Sequence, residues 1–319
     1  MNSQQIAAGE RWLIEGGGTE LELGAAVVLW FWETPGPSHV RDLSAAGKSC
    51  SVSVIGPFIG LPPEGIRRGY AVLVVTDRAV PRPTVCLSVG WSDGDTELVE
   101  LPFRQVDRRV ASGLDVPAPT VAICMATFEP RMDLFTNQVR SLQAQSTSDW
   151  ICLVQDDGSS AQTLEHMQEV FGDDPRFVLE ENAENVGFYL NFGRSLARVP
   201  AGTRYVALCD QDDTWYPDKL ECLVGALDAD PTATLIYSDM RVVDETGTAI
   251  RDDFPLGVAS DRGIEAMVVA NLVTGCSTLF RASLLDVALP LPEARNAYHD
   301  HWIATVAAAR GCAPTIRVR

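Results

Sequence analysis

The hydrophobic rhythm of the chain changes near residue 116. Before it, apolar residues come in short β-rich runs at 25–32, 51–55, 70–76, 84–89 and 97–101. Clusters of Gly, Pro, Asp and Ser, such as residues 33–38 and 92–95, separate them. This predicts a small β-sandwich or meander. The stretch Val116-Pro-Ala-Pro-Thr120 is extended, and its prolines hinder strand pairing. The boundary is therefore expected there, with a β-rich accessory domain over 1–115 and a second domain over 117–319.

After the boundary, strand and helix patterns alternate, as in a mostly parallel α/β sheet. Strands are expected at 121–125, 150–155, 176–179, 205–209 and 234–237. Between them, Leu134, Phe135, Val139 and Leu142 share one helical face, as do Leu164, Met167, Val170 and Phe171. Leu220, Leu223, Val224 and Leu227 form a third face, in a helix expected to carry Pro217 in its first turn. Another apolar helix is expected over 302–309.

Composition narrows the function. A chain of 319 residues, 46% hydrophobic, can bury a substantial core and divide in two. The formal charge of −18 argues against nucleic-acid binding and polybasic membrane attachment, both of which need clustered Lys and Arg. An anionic substrate would need a bound cation or a local basic group. The apolar stretch at 24–32 is too short to span a bilayer, and residues 1–10 lack a signal-peptide pattern. A cytoplasmic protein is expected, with membrane contact only peripheral. The eight cysteines show no CxxC pair, and Cys124, Cys152 and Cys209 lie in or beside apolar runs, as buried thiols do.

In open α/β sheets, ligands bind beyond the carboxyl ends of the strands. Three polar clusters fall there: Thr127, then Asp156-Asp157-Gly158-Ser159, then Asp210-Gln211-Asp212-Asp213. One Asp-rich loop is ordinarily a solvated turn; three at successive strand ends point to a site. Asp210 and Asp212, two residues apart past an apolar strand, supply hard oxygen ligands suited to Mg²⁺ or Mn²⁺.

With these motifs in order, residues 121–310 resemble the family 2 glycosyltransferases of GT-A fold. The matches are Ala126-Thr127, Asp156-Asp157-Gly158-Ser159, Asn185-x-Gly187-x-x-x-Asn191 and Asp210-x-Asp212, followed by Thr274-Gly275-Cys276 and His299-Asp300-His301-Trp302. The phrases from Cys209 to Trp215 and from Tyr298 to Trp302 look most like the bacterial rhamnosyltransferase branch.

The resemblance implies a nucleotide diphosphate sugar donor, with Thr127 and Asp156 at the nucleobase, Asp210 near the ribose and Asp212 on the metal. Ala126, Glu129, Asp157, Asn185, Gly187, Asn191 and Gln211 complete the donor side it implies. Asp157 is equally readable as a turn residue, and the two asparagines as loop hydrogen bonders. Gly158 and Ser159 suit the turn and the next helix cap. Gly275, Cys276, His299 and Trp302 form the acceptor side. Cys276 can simply pack there, and Trp302 can stack on a sugar or anchor its helix. Asp300 is the implied catalytic base, although position alone suits a helix cap.

Two departures stand out. Leu190 occupies a position where that branch often has Lys or Arg; Arg194, one helical turn on, can supply the charge. The chain also stops before a further His-containing segment of its relatives, so truncation of the catalytic domain is expected. The implied reaction is an inverting, metal-dependent transfer to a glycan or glycolipid, with rhamnose favoured, in cell-surface polysaccharide synthesis at the inner face of the membrane. A galactofuranosyltransferase of similar layout and a catalytically silent nucleotide-sugar or glycan-binding module are the alternatives.

Overall fold

The computed structural model describes residues 4–9, 12–16, 21–22, 26–34, 37–48, 50–60, 67–76, 84–101, 103–104, 117–244, 247–252, 271, 273–291, 298–309 and 317–318. Val116 at the expected boundary, Ala25 at the start of the first expected run and Arg310 at the end of the resemblance lie outside them. The chain divides into two compact units, residues 1–109 with 286–297, and residues 110–285 with 298–319.

The first unit contains β1 (Gln4–Ala8), β2 (Trp12–Gly16), β3 (Leu21–Glu22), β4 (Ala26–Glu33), β5 (Val40–Lys48), β6 (Cys50–Gly60), β7 (Arg67–Thr76), β8 (Thr84–Trp91), β9 (Thr96–Leu101) and β10 (Phe103–Arg104). An antiparallel sheet ordered β1-β2-β4-β7-β6 and a second ordered β5-β8-β9 both feed one core. Val85, Leu87, Val89 and Trp91 of β8 are buried at every second position, with exposed Cys86 between them. Tyr70, Val72 and Val74 of β7 join the same core, with Ala71 between the first two buried as well. The period of two on β8 is the pleat turning alternate side chains to one face, and the result is a sandwich.

The second unit holds β11 (Val121–Thr127), β12 (Trp150–Asp156), β13 (Phe177–Glu181), β14 (Tyr205–Cys209), β15 (Leu235–Ser238), β16 (Val242–Val243), β17 (Ala249–Arg251), β18 (Thr278–Arg281) and β19 (Arg317–Val318). Its seven-stranded sheet is ordered β13-β12-β11-β14-β18-β15-β19. β11 to β14 pair in parallel, while β18 runs antiparallel to both neighbours. β16 and β17 pair separately. β12 and β14 are buried at every residue, as expected for parallel strands covered on both faces.

Helices α1 (Met132–Gln143), α2 (Ala161–Phe171), α3 (Phe188–Ala197), α4 (Lys219–Ala229) and α5 (His299–Ala309) accompany this sheet. Of the expected faces, Phe135, Val139, Leu142, Met167, Phe171, Leu220, Leu223 and Leu227 join one core and Leu164, Val170 and Val224 pack against it, while Leu134 is only half-buried. Each buried Leu contributes roughly 1.5–3 kcal/mol over an exposed one. Three readings need correction. Pro217 precedes α4, which starts at Lys219, because its fixed φ suits the turn that leads in. The helix expected over 302–309 starts at His299, so Asp300 lies within its first turn. The cap of α2 is Ser160, whose Oγ accepts from the Thr163 N–H; Ser159 points elsewhere.

Candidate active site

The carboxyl edge of the sheet gathers the polar clusters. Thr127 and Asp156 end β11 and β12 opposite one another in register. Asp156 is fully buried, and its Oδ1 accepts from Thr127 Oγ1 at 2.9 Å and Ser159 Oγ at 2.7 Å. Its Oδ2 accepts from the Gly158 and Ser159 N–H groups at 3.0 and 2.7 Å. A carboxylate offers about four acceptor positions, and here three are filled by the loop at Gly158 and Ser159 and one by Thr127 of the neighbouring strand. Gly158 supplies the turn with a φ of 84°. Glu129 is held at the start of α2, where its carboxylate accepts from the Ser160 N–H and Thr163 Oγ1. Those bonds, Thr163 first, lower its pKa. Its backbone N–H donates to Ser159 Oγ, which in turn donates to Asp156, so Glu129 is tied to the same loop.

Asp157, also buried, fastens the next loop. Its Oδ1 accepts from Asn182 Nδ2 and the Val186 N–H, and its Oδ2 from the Gly187 N–H, each at 2.8 Å. Gly187 has a φ of 83°, a region that disfavours other residues. Asn185 is exposed and accepts from the same Gly187 N–H. Asn191 is buried, donates to the Gln155 carbonyl at 2.8 Å and accepts from Asn182. Exposed Arg194 donates to Asn182 Oδ1 at 2.7 Å, so its guanidinium is anchored to this loop. Asn182 also accepts from Gln155 Nε2 at 3.0 Å and so links Asp157, Asn191, Arg194 and Gln155; the sequence reading missed it, and a polar residue just beyond a strand end was its only signal.

Past β14 the chemistry changes. Gln211 pairs with the backbone of Phe128 through both ends of its amide, joining the two strand-end loops; half-buried Ala126 precedes this junction on β11. Asp210, Asp213 and Cys276 place one ligand atom each within 4.8 Å of one another. Asp212 is exposed and stands outside that set. Burial, then the charges of Asp213, Asp212 and Asp300, pushes Asp210 up to about 7. Asp212 is also raised, by burial and then Asp213. Among the described residues, Asp213 Oδ2 is buried without a hydrogen-bond partner. An orphaned carboxylate oxygen beside a mutually repelling acid is the arrangement a hard divalent cation would complete. The Cys276 thiol is pushed up by burial and by Asp213 and Asp210, so it stays protonated and the carboxylates define the donor set. Such oxygen donors suit Mg²⁺ or Mn²⁺. Lys219, at the start of α4, donates from Nζ to the Cys276 carbonyl. Burial lowers its ammonium to about 8, which leaves it charged at neutral pH.

On the acceptor side, Gly275 and Cys276 form a 3₁₀ turn entering β18. Asp300 Oδ2 accepts from the Gly275 N–H at 3.0 Å, and Oδ1 from Asn271 Nδ2 at 3.0 Å and the His301 N–H at 2.7 Å. Among the described residues one acceptor position of Oδ2 stays open. A Cβ on Gly275 would lie 3.2 Å from both Asp300 Cβ and His299 Nε2, so glycine permits this approach. His299 is buried and stacked on Phe192 with ring centroids 3.6 Å apart. Burial lowers it to about 4, against the pull of Asp300, so it is neutral at neutral pH; its Nδ1 has no partner. Trp302 is 8% exposed, the burial of a helix anchor, which leaves little ring face for a sugar. Asn271, Asp213 and Lys219 escaped the sequence reading as site residues. Asp213 lies in the quoted motif, and Lys219 carried a signal in being a cation at a helix start.

No helix among the described residues is long and apolar enough to cross a membrane. The chain spans 15% and 28% of the length of the first two curated relatives it matches. It is 24% identical over 196 residues to an uncharacterized glycosyltransferase, MJ1057, of Methanocaldococcus jannaschii, covering 60% of this chain and 67% of the relative. It is 33% identical over 164 residues to TuaG of Bacillus subtilis, a glycosyltransferase named provisionally for teichuronic acid biosynthesis, covering 50% of this chain and 61% of that one. Among solved structures, the mannosyltransferase PcManGT from Pyrobaculum calidifontis, in complex with GDP-Man and Mn²⁺, matches with 21% identity and a TM-score of 0.47, over 60% of this chain and 54% of that one. The model of glycosyl transferase family 2 matches residues 123–287, more than half of the 319, and the chain belongs to that family.

Proposed function

We propose that this chain transfers a glycosyl group, with inversion, from a nucleoside diphosphate sugar to a hydroxyl of a carbohydrate acceptor. The observation that carries the reading is the convergence of Asp210, Asp212, Asp213 and Asp300 on one sheet edge, felt in the raised pKa of Asp210. Asp300 takes the acceptor proton at the open position of Oδ2, the oxygen attacks the anomeric carbon, and the bond to the diphosphate breaks. Asn271 and Gly275 hold the Asp300 carboxylate in place for that transfer. Asp210 and Asp213, with Asp212 beside them, would hold Mg²⁺ or Mn²⁺. Once bound, the cation would neutralise the departing diphosphate.

On the donor side Asp157 keeps an acceptor position that Asp156 has lost to its own loop, so Asp157 is the better partner for a nucleobase N–H. Rhamnose is the sugar we favour, from the phrases around Asp210 and Asp300, and a cell-surface polysaccharide precursor the acceptor. The name of the Bacillus relative supports that acceptor class. We place the reaction in the cytoplasm, at the membrane face where a glycolipid acceptor is presented. The β-rich first unit is an accessory domain in this reading.

The test is a panel of thymidine, uridine and guanosine diphosphate sugars with product mass spectrometry, in Mg²⁺, in Mn²⁺ and in chelator. Donor-dependent product that disappears in chelator is expected. Donor binding without product from any sugar and acceptor pair would make the chain a silent binding module.

A further inference from the structure

Lys219 is the first residue of α4, where the partial positive charge of a helix N-terminus disfavours a cation. Its ammonium is nonetheless turned inward. Nζ lies 3.6 Å from the centroid of the Trp215 ring and donates to the backbone carbonyl of Cys276. Trp215 is itself buried, and its backbone N–H donates to Ser141 Oγ at 3.0 Å. Asp213 and Asp210 act on the ammonium electrostatically. The ammonium thus holds the residue whose thiol stands within 4.8 Å of Asp210 and Asp213, the carboxylates that would receive a divalent ion.

We propose that Lys219 is the resident counter-cation of the acidic edge: it offsets the carboxylate charge when no divalent ion is bound, and it opposes the ion that enters, setting its affinity. The inference rests on the cation-site reading above. Lys219 is a positioning residue here. It joins the loop that carries Asp213 to the turn that Asp300 holds through Gly275, so charge and geometry at the two halves of the site are coupled. A lysine that only anchored the Cys276 carbonyl would leave ion affinity unchanged when replaced.

The test uses Mn²⁺ alone, by calorimetry and by melting in chelator and in Mn²⁺, on the full chain and on Lys219→Met. Removing a unit charge this close to the ion should tighten Mn²⁺ binding roughly tenfold. The melting temperature in chelator should fall, and the rise on adding Mn²⁺ should grow. Equal or weaker Mn²⁺ binding by a folded Lys219→Met overturns the inference. If Lys219→Met does not fold in chelator, Lys219→Met combined with Asp213→Asn decides. A folded double variant supports charge compensation, whereas failure of both makes Lys219 a packing element and sinks the idea. Wild-type protein that binds no Mn²⁺ would remove the cation-site reading itself, an outcome distinct from unchanged affinity in the variant.

Discussion

The Asp300 carboxylate accepts the backbone N–H of Gly275 at 3.0 Å, tying the start of α5 to the turn that precedes β18. That contact makes Asp300 both a structural acceptor and, through the open position on the same oxygen, a base. An amide can accept from only one side, so Asp300→Asn should lose part of the Gly275–Asn271 clasp, about 1–3 kcal/mol by urea unfolding. Transfer should fall by roughly 10²-fold or more while donor affinity holds. A folded variant with wild-type turnover would send the search for the base elsewhere.

Gly275→Ala tests the same clasp from the other end. The added methyl would meet Asp300 Cβ and His299 Nε2 at 3.2 Å, so one of them must yield by a few tenths of an ångström. We expect a loss of about 1–3 kcal/mol, the usual scale of overpacking, and a kcat that falls more than the donor KM rises. Unchanged kcat would show that Asp300 tolerates displacement.

Asp156→Asn should be a folding variant before it is a binding variant. Four chain donors converge on this carboxylate, and an amide turns one acceptor oxygen into a donor facing two of them. Destabilisation of about 1–3 kcal/mol is expected in chemical denaturation. Asp157→Asn should instead show its larger effect on donor affinity. Equal effects of the two variants on donor affinity would undo the distinction.

The raised pKa of Asp210 fixes a sign for pH dependence. In chelator, folded Asp210 keeps its proton up to about 7, whereas the unfolded carboxyl loses it near its ordinary value of 3.8. The folded state therefore binds more protons across that window, and this group's contribution to stability falls as pH rises through it. His299 works oppositely: lowered to about 4, it adds stability as pH rises from about 4 to the ordinary histidine value of 6.5. The clean measurement is thus a difference, wild type minus Asp210→Asn, which should decline from pH 4 to 7. A flat difference would mean that Asp210 ionises freely.

Much of the second unit was legible because its signals are local. Tyr205–Cys209 is an unbroken apolar run and forms the strand expected there, and Leu220, Leu223 and Leu227 recur at helical spacing and pack together. β18 was not read as a strand, because its four residues, Thr278–Arg281, include two polar ones and gain their place from pairing with β14 and β15. β5 escaped for a related reason: Val40 is buried, but Arg41, Asp42 and Ser44 interrupt the apolar pattern on a sheet edge. At the site, residue types were visible and their division of labour was not. Nothing in Asp156-Asp157 says that the first is saturated by its own loop and Thr127 while the second ties down Gly187; only the folded backbone brings those N–H groups together. Lys219 and Asn271 reach their partners across 57 and 29 positions of chain, separations that no local pattern spans.

Because β18 runs against both β14 and β15, the chain leaves β15 and re-enters β18 at the same sheet edge that carries Asp210. Ser238 and Thr278 therefore both stand at the edge that carries the acidic cluster. A change in the length of chain joining them would leave the pairing of β11, β12 and β14 in register, whereas Asn271 and Gly275, near its end, must stay in place to hold Asp300.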